Sequence, residues 1–153
     1  MALAVGTKAP NFTLPSTSGK DFILYQEFKN TVGIMYFYPK DFTPACTAEA
    51  CAFRDAFDML SELKIHVPVV GISADDLETH QRFRKAHNIS FHLLSDADKN
   101  VARMYDVVAP IVGFIQRVTF LIDRTMTIAA VHQNLFDARS HIEKMIQHLR
   151  VHT

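Results

Sequence analysis

Hydrophobic and polar positions along this chain fall into short blocks that switch between the period of a strand and the period of a helix. Residues 10–22 hold two brief apolar pieces around Pro15-Ser-Thr-Ser-Gly19, a turn-rich connection that predicts a hairpin. Residues 31–38, Thr-Val-Gly-Ile-Met-Tyr-Phe-Tyr, are nearly continuously apolar, aromatic or β-branched, as in a central strand buried on both faces. The run stops at Pro39, which has no N–H to give to a sheet ladder. From Thr43 the pattern turns helical. Thr43 can cap, Pro44 fits the first helical position, and Ala, Glu, Phe and Leu fill the turns to about Leu63.

A second buried strand covers residues 67–73. Asp75, with Glu78 three residues on, reads as a capping box for a helix to about His87, and Asn88 stops it. A short strand at 92–94 and a short helix at 98–105 follow. Val118, Phe120 and Ile122 share one face of a strand over 117–123, which pairs with a strand over 127–133. A last helix carries Ile142, Met145, Ile146 and Leu149 on one stripe. Strands alternating with helices predict an α/β fold, with a mixed central sheet flanked by helices and an N-terminal hairpin. There is no repeat, low-complexity tract or linker, so residues 1–153 read as a single domain.

Composition removes several function classes. Lys plus Arg and Asp plus Glu number 16 each, which argues against a nucleic-acid or anionic-membrane surface. No apolar run reaches the roughly 18 residues of a membrane span, and the start lacks a basic segment followed by a long apolar one. The expectation is a cytoplasmic protein with no nucleic-acid or membrane partner. Eight histidines are present, with no His-x-His or His-Glu-x-x-His among them, so no metal site is expected. Five scattered glycines form no phosphate loop, and the 12 phenylalanines and six methionines read as core, with an apolar pocket rim near Phe42 and Phe114.

Two cysteines remain, Cys46 and Cys51, in Tyr38-Pro-Lys-Asp-Phe-Thr-Pro-Ala-Cys-Thr-Ala-Glu-Ala-Cys-Ala-Phe-Arg54. Cys46 falls in the first turn of the expected helix, at the carboxyl end of a central strand, where open sheets bind ligands. Unpaired N–H groups and the positive end of the helix dipole favour an anion there, and a thiolate is the reactive form of cysteine. Thr43 can cap this helix or point its hydroxyl at the sulfur or a ligand. On an ideal helix, residues five apart lie about 140° apart in rotation, with Cα atoms roughly 8.6 Å apart. A disulfide needs about 4.4–6.8 Å, so the two cysteines can join only if the helix unwinds locally. Cys51 also reads as a core thiol beside Phe53 and Phe57.

Pro39-x-x-x-Thr43-x-x-Cys46 resembles the active-site signature of peroxiredoxins. The longer run from Phe37 to Cys51 is similar to that of the bacterioferritin comigratory protein (peroxiredoxin Q) subfamily. Further likeness lies in Ala9-Pro-Asn-Phe12, Gly71-Ile-Ser-Ala-Asp75, Leu94-Ser-Asp96 and Thr119-Phe-Leu-Ile-Asp123, and so spans nearly the whole chain. The resemblance implies a thioredoxin-like fold, reduction of hydrogen peroxide and alkyl hydroperoxides, and no metal or organic cofactor. It implies that Cys46 is the peroxidatic thiolate, oxidised to a sulfenic acid, and that Cys51 resolves it as an intramolecular disulfide. Thr43 would bond the peroxide, Pro39 would shield the pocket, Arg117 would stabilise the thiolate and polarise the peroxide, and Glu49 would orient that arginine. Recycling by thioredoxin or a similar dithiol, a role in antioxidant defence and a monomer or weak dimer are further expectations.

Two departures stand out: Ala45 replaces a glycine many members carry, and Asp123-Arg-Thr-Met-Thr127 lacks the glycine usual in that turn. The alternative reading is a thioredoxin-like disulfide oxidoreductase or redox sensor, but that chemistry calls for Cys-x-x-Cys, a shorter spacing than Cys46 to Cys51. A non-catalytic interaction module, the third class, would not require Thr43, Cys46 and Arg117 together.

Overall fold

Among the described residues these blocks build seven strands and four helices, and the order of the strands decides where the cysteines lie. The structure, a computed structural model, describes residues 2–62 and 64–133, together with His141, Lys144, Met145, Gln147 and His148. The N-terminal hairpin pairs β1 (Thr13–Pro15) with β2 (Asp21–Ile23) antiparallel. A helical turn, α1 (Leu24–Glu27), follows at once; at four residues it is too short to leave a periodic signal.

The main sheet holds β3 (Gly33–Phe37), β4 (Val69–Ser73), β5 (His92–Ser95), β6 (Val118–Ile122) and β7 (Ile128–Gln133), in the order β5-β4-β3-β6-β7. β3, β4 and β5 run parallel, while β6 is antiparallel to both β3 and β7, so the sheet is mixed as expected. The crossovers are α2 (Pro44–Glu62) between β3 and β4, and α3 (Leu77–His87) between β4 and β5. A short α4 (Asn100–Met104) lies within the 98–105 region.

Side chains alternate across the sheet and divide the core into two layers. Met35, Phe37, Val70, Ile72, Val118, Phe120 and Ile122 point to the layer shared with the hairpin, α1 and α4. Ile34, Tyr36, Val69 and Leu121 point the other way, toward Cys46, Ala50 and Phe53 of α2 and Phe83 of α3. The first layer is where Val118, Phe120 and Ile122 were expected to share a face. Every residue of β3, β4 and β6 is buried, the polar Ser73 and Thr119 included, which explains the nearly continuous apolar runs of β3 and β4. Gly71 is required on this second face, because a Cβ there would come within 2.8 Å of the Tyr36 ring.

Two capping expectations are corrected. α3 is capped by Asp76, which accepts from the Thr79 amide at 2.8 Å; Asp75 is instead drawn to Ser73 and to the Asp41 amide. Thr43 accepts the first helical bond of α2 through its carbonyl, from Thr47 N–H at 2.9 Å, but its hydroxyl donates to the Lys40 carbonyl rather than capping. Asn88 ends α3 in the left-handed region at φ 51°, as its position suggested. The glycine-free turn after β6 places Met126 at φ 61°, while Asp123 Oδ1 accepts from the amides of Thr125 and Thr127. A register shift between Leu121 and Ile122 absorbs its shape. Of the last stripe, Met145 is described and buried; Ile142, Ile146 and Leu149 lie outside the described residues.

Candidate active site

β3 delivers the chain to Pro39 at the carboxyl end of a central strand, and α2 begins five residues later. Between them Phe42 takes a left-handed conformation, φ 64°, which turns the chain sharply into the helix. Cys46 therefore sits in the first turn of α2, where free N–H groups favour an anion, and it is 1% exposed.

The side chain that meets it comes from β6, the neighbour of β3 on the other side from β4. Arg117, immediately before β6, sends Nη2 to within 3.2 Å of the Cys46 sulfur. Its Nη1 donates to Glu49 Oε1 at 2.6 Å. Glu49 lies three residues after Cys46, on the same face of α2, and is fully buried. Thiol, guanidinium and carboxylate thus form one buried chain. Burial pushes the Glu49 carboxyl up to about 8 against the pull of Arg117. Burial also works against the guanidinium charge, but Glu49 and the Cys46 sulfur more than offset it and raise Arg117 above its ordinary value. On the far side of Glu49, His141 Nδ1 lies 3.7 Å from Oε2 and 2.8 Å from the Thr119 hydroxyl.

A second network holds the loop in front of the helix. Asp41 accepts from the Tyr38 hydroxyl at 2.6 Å and contacts His80 Nδ1, also at 2.6 Å. His80 Nε2 faces the Leu94 carbonyl at 2.9 Å; a carbonyl only accepts, so this nitrogen carries its proton. The Asp41 amide donates to Asp75 Oδ2, which also accepts from Ser73. Asp41, Asp75 and His80 approach closely enough to suggest metal ligands, but these hydrogen bonds already occupy the atoms involved. The network ties the Pro39–Thr43 loop to β4, α3 and β5.

The remaining expected residues are placed less centrally. Thr43 is half-buried beside the site, and with its proton given to Lys40 its oxygen is left as an acceptor. Pro39 lines a cavity of about 230 Å³ with Lys40, Ala74, Asp75, Phe114 and Ile115; neither Cys46 nor Arg117 lines it. Phe114 is at that rim as expected, whereas Phe42 packs on Phe83 and His87 instead. Cys51 lies on α2 with Cys46, half-buried against the α2 core layer, and both thiols are free. Arg54 faces Cys51, not Cys46. Tyr38, Asp41, His80 and His141 were missed by sequence reasoning, although Tyr38 and Asp41 lie inside the recognised run from Phe37 to Cys51.

Fold and site define a thiol-based enzyme on a thioredoxin-like scaffold, with one buried cysteine held against a fixed cation. The chain belongs to the AhpC/TSA family, whose model matches residues 5–131. It is 45% identical over 137 residues to a Coxiella burnetii protein named peroxiredoxin bcp, covering 86% of this chain and 89% of that one. It is 36% identical over 146 residues to the chloroplastic peroxiredoxin Q of Gentiana triflora, covering 95% of this chain and 66% of the plant protein. Among solved structures, it is similar to the peroxidoxin BcpB of Mycobacterium tuberculosis (TM-score 0.86, 31% identity, 96% of each chain). It is also similar to a cysteine-to-serine mutant of PrxQ from Xylella fastidiosa (TM-score 0.87, 26% identity, 99% and 98% covered). The protein is a thiol peroxidase of the peroxiredoxin Q and Bcp type, and peroxides and a thiol reductant are its reactants. No helix among the described residues is long and apolar enough to cross a membrane.

Proposed function

We propose that the chain acts as one domain in which Cys46 attacks the peroxide and Cys51 resolves the product. The observation that carries this reading is the Arg117 guanidinium shared between the Cys46 sulfur at 3.2 Å and Glu49 at 2.6 Å. A guanidinium stays charged and offers several planar donors, so it stabilises the thiolate and can also donate to a peroxide oxygen. Glu49 fixes its plane. Thr43, whose oxygen is left as an acceptor, takes a hydrogen bond from the peroxide O–H, and Pro39 shields the approach.

The Cys46 thiolate attacks one peroxide oxygen, the O–O bond breaks, and the other oxygen leaves as hydroxide or alkoxide and is protonated. Cys46 becomes a sulfenic acid. Both cysteines lie on α2, so the first turns, roughly residues 43–52, must open for Cys51 to reach it. A dithiol of the thioredoxin type then reduces the disulfide. The protein works in the cytoplasm as a monomer or weak dimer, in antioxidant defence.

The test is a peroxidase assay with thioredoxin as reductant, comparing hydrogen peroxide with an organic hydroperoxide. Stoichiometric peroxide consumption coupled to thioredoxin oxidation is the expected result. Thioredoxin oxidation without peroxide loss would favour the disulfide oxidoreductase instead.

A further inference from the structure

Cys51 has its own cation. Arg54, three residues on and so on the same face of α2, places Nη1 3.7 Å from the Cys51 sulfur. The same Nη1 donates to the His87 carbonyl at the end of α3, at 2.7 Å. Asp55 takes the opposite edge of the guanidinium, with contacts of 2.9 Å to Nε and 2.8 Å to Nη2. The fork is therefore held flat and aimed, with Nη1 turned toward the sulfur. Arg54 lies beyond the segment that must open, and its bond to α3 holds it at the place from which the Cys51 sulfur sets out.

We propose that Arg54 is a catalytic residue of the second chemical step, stabilising the Cys51 thiolate for its attack on oxidised Cys46. This rests on the reading of Cys51 as the resolving residue. The thiol gives its proton to solvent, and the thiolate electron pair forms the S–S bond at the Cys46 sulfur. The S–O bond of the sulfenic acid breaks, and the oxygen leaves as hydroxide and is protonated to water. Among the described residues, the other ionisable groups at this corner are Asp55, Asp58 (which accepts from Ser90) and the His87 ring, which packs on Phe42 and Phe83.

The expected signature follows from two opposing trends. Without a cation beside it a thiolate is less favoured over the thiol, so less of it is present at neutral pH. A more basic thiolate is also the better nucleophile, with a Brønsted slope of about 0.4–0.5, which returns nearly half of the loss. Disulfide formation in Arg54→Gln is then roughly threefold slower at neutral pH and roughly threefold faster at strongly alkaline pH. The two pH profiles cross.

The experiment is acid-quenched mass spectrometry after one equivalent of hydrogen peroxide, following Cys46 oxidation and the 46–51 disulfide in wild type, Arg54→Gln and Arg54→Lys. Crossing profiles for the glutamine variant, a lysine variant close to wild type and an unchanged rate of Cys46 oxidation are the expected results. Superimposable profiles, or slowing by one factor at every pH in both variants, would overturn the assignment and leave Arg54 as a tie between α2 and α3. A wild-type protein that forms no 46–51 disulfide overturns the resolving role of Cys51, and the Arg54 assignment with it.

Discussion

Cys46 is 1% exposed, and its sulfur faces a guanidinium that is itself buried; Cys51, five residues along the same helix, is half-buried beside an arginine whose side chain is 26% exposed. Charges interact far more strongly where water is excluded, and donors fixed in advance need no reorganisation as charge develops. The buried pair suits a thiolate that must attack a small neutral molecule from one geometry. A thiolate that has to travel cannot be embedded in such a network, because leaving it would strand a buried charge. The loop before Cys46 is pinned through Asp41 to Tyr38 and His80, whereas Cys51 is held by packing and one arginine. With both thiols free, one helix thus holds Cys46 tightly and Cys51 loosely.

The largest effect should come from Cys46→Ser, which offers almost no anion at neutral pH and should abolish turnover. Peroxidase activity above a few per cent of wild type would dissolve the contrast between the two thiols. Cys51→Ser should still react once, then stop at the sulfenic acid and over-oxidise, visible by mass spectrometry after one equivalent of peroxide. Full cycling with thioredoxin in that variant would make Cys51 a core thiol and no more. Arg117→Met leaves the nucleophile in place but removes its buried cation, and peroxide attack should slow by about a hundredfold. An unchanged second-order rate would mean that burial of Cys46 matters more than the charge beside it.

What the chain's pattern revealed, and what it concealed, divides along similar lines. β3 and β4 were legible because strands buried on both faces leave nearly continuous apolar runs, β6 because Val118, Phe120 and Ile122 alternate, and α2 because Thr43-Pro44 marks its start. The place of Cys46 in the first turn of α2 was legible for the same reason. The cap of α3 was read one residue early, since Asp75 and Asp76 look alike until Ser73 and the Asp41 amide claim the former. His80 and His141 left no local trace. Their partners, Asp41 and Leu94 for one and Thr119 and Glu49 for the other, are brought to them only by the sheet order.

The contrast also concerns motion. If the first turns of α2 yield while the sheet holds, oxidation to the 46–51 disulfide should speed amide exchange in residues 43–52 and leave β3, β4 and β6 protected. Equal protection of that segment in both redox states, with the disulfide confirmed, would remove the need for helix opening. The anchor at Asp41 sets where the change should stop on the N-terminal side.

The smallest effect, and the finest test of the buried end, comes from Glu49→Gln. The amide keeps an acceptor for Arg117 but cannot ionise, so peroxide attack should fall far less than in Arg117→Met. Its stability should show the difference more clearly. In the folded chain burial raises the Glu49 carboxyl from 4.5 to about 8, so between these values the native protein holds a proton that the unfolded chain has released. The stability linked to this group is complete below about pH 4.5 and drains away as pH rises through 8, by up to about 1.4 kcal/mol per pH unit. Glutamine has no such proton to lose. Urea midpoints measured between pH 5 and 8 should therefore fall more steeply for wild type than for Glu49→Gln. Parallel curves would mean that Glu49 is ionised throughout, with Arg117 overcoming its burial, and the buried end would then hold a full ion pair rather than a carboxyl close to its titration point.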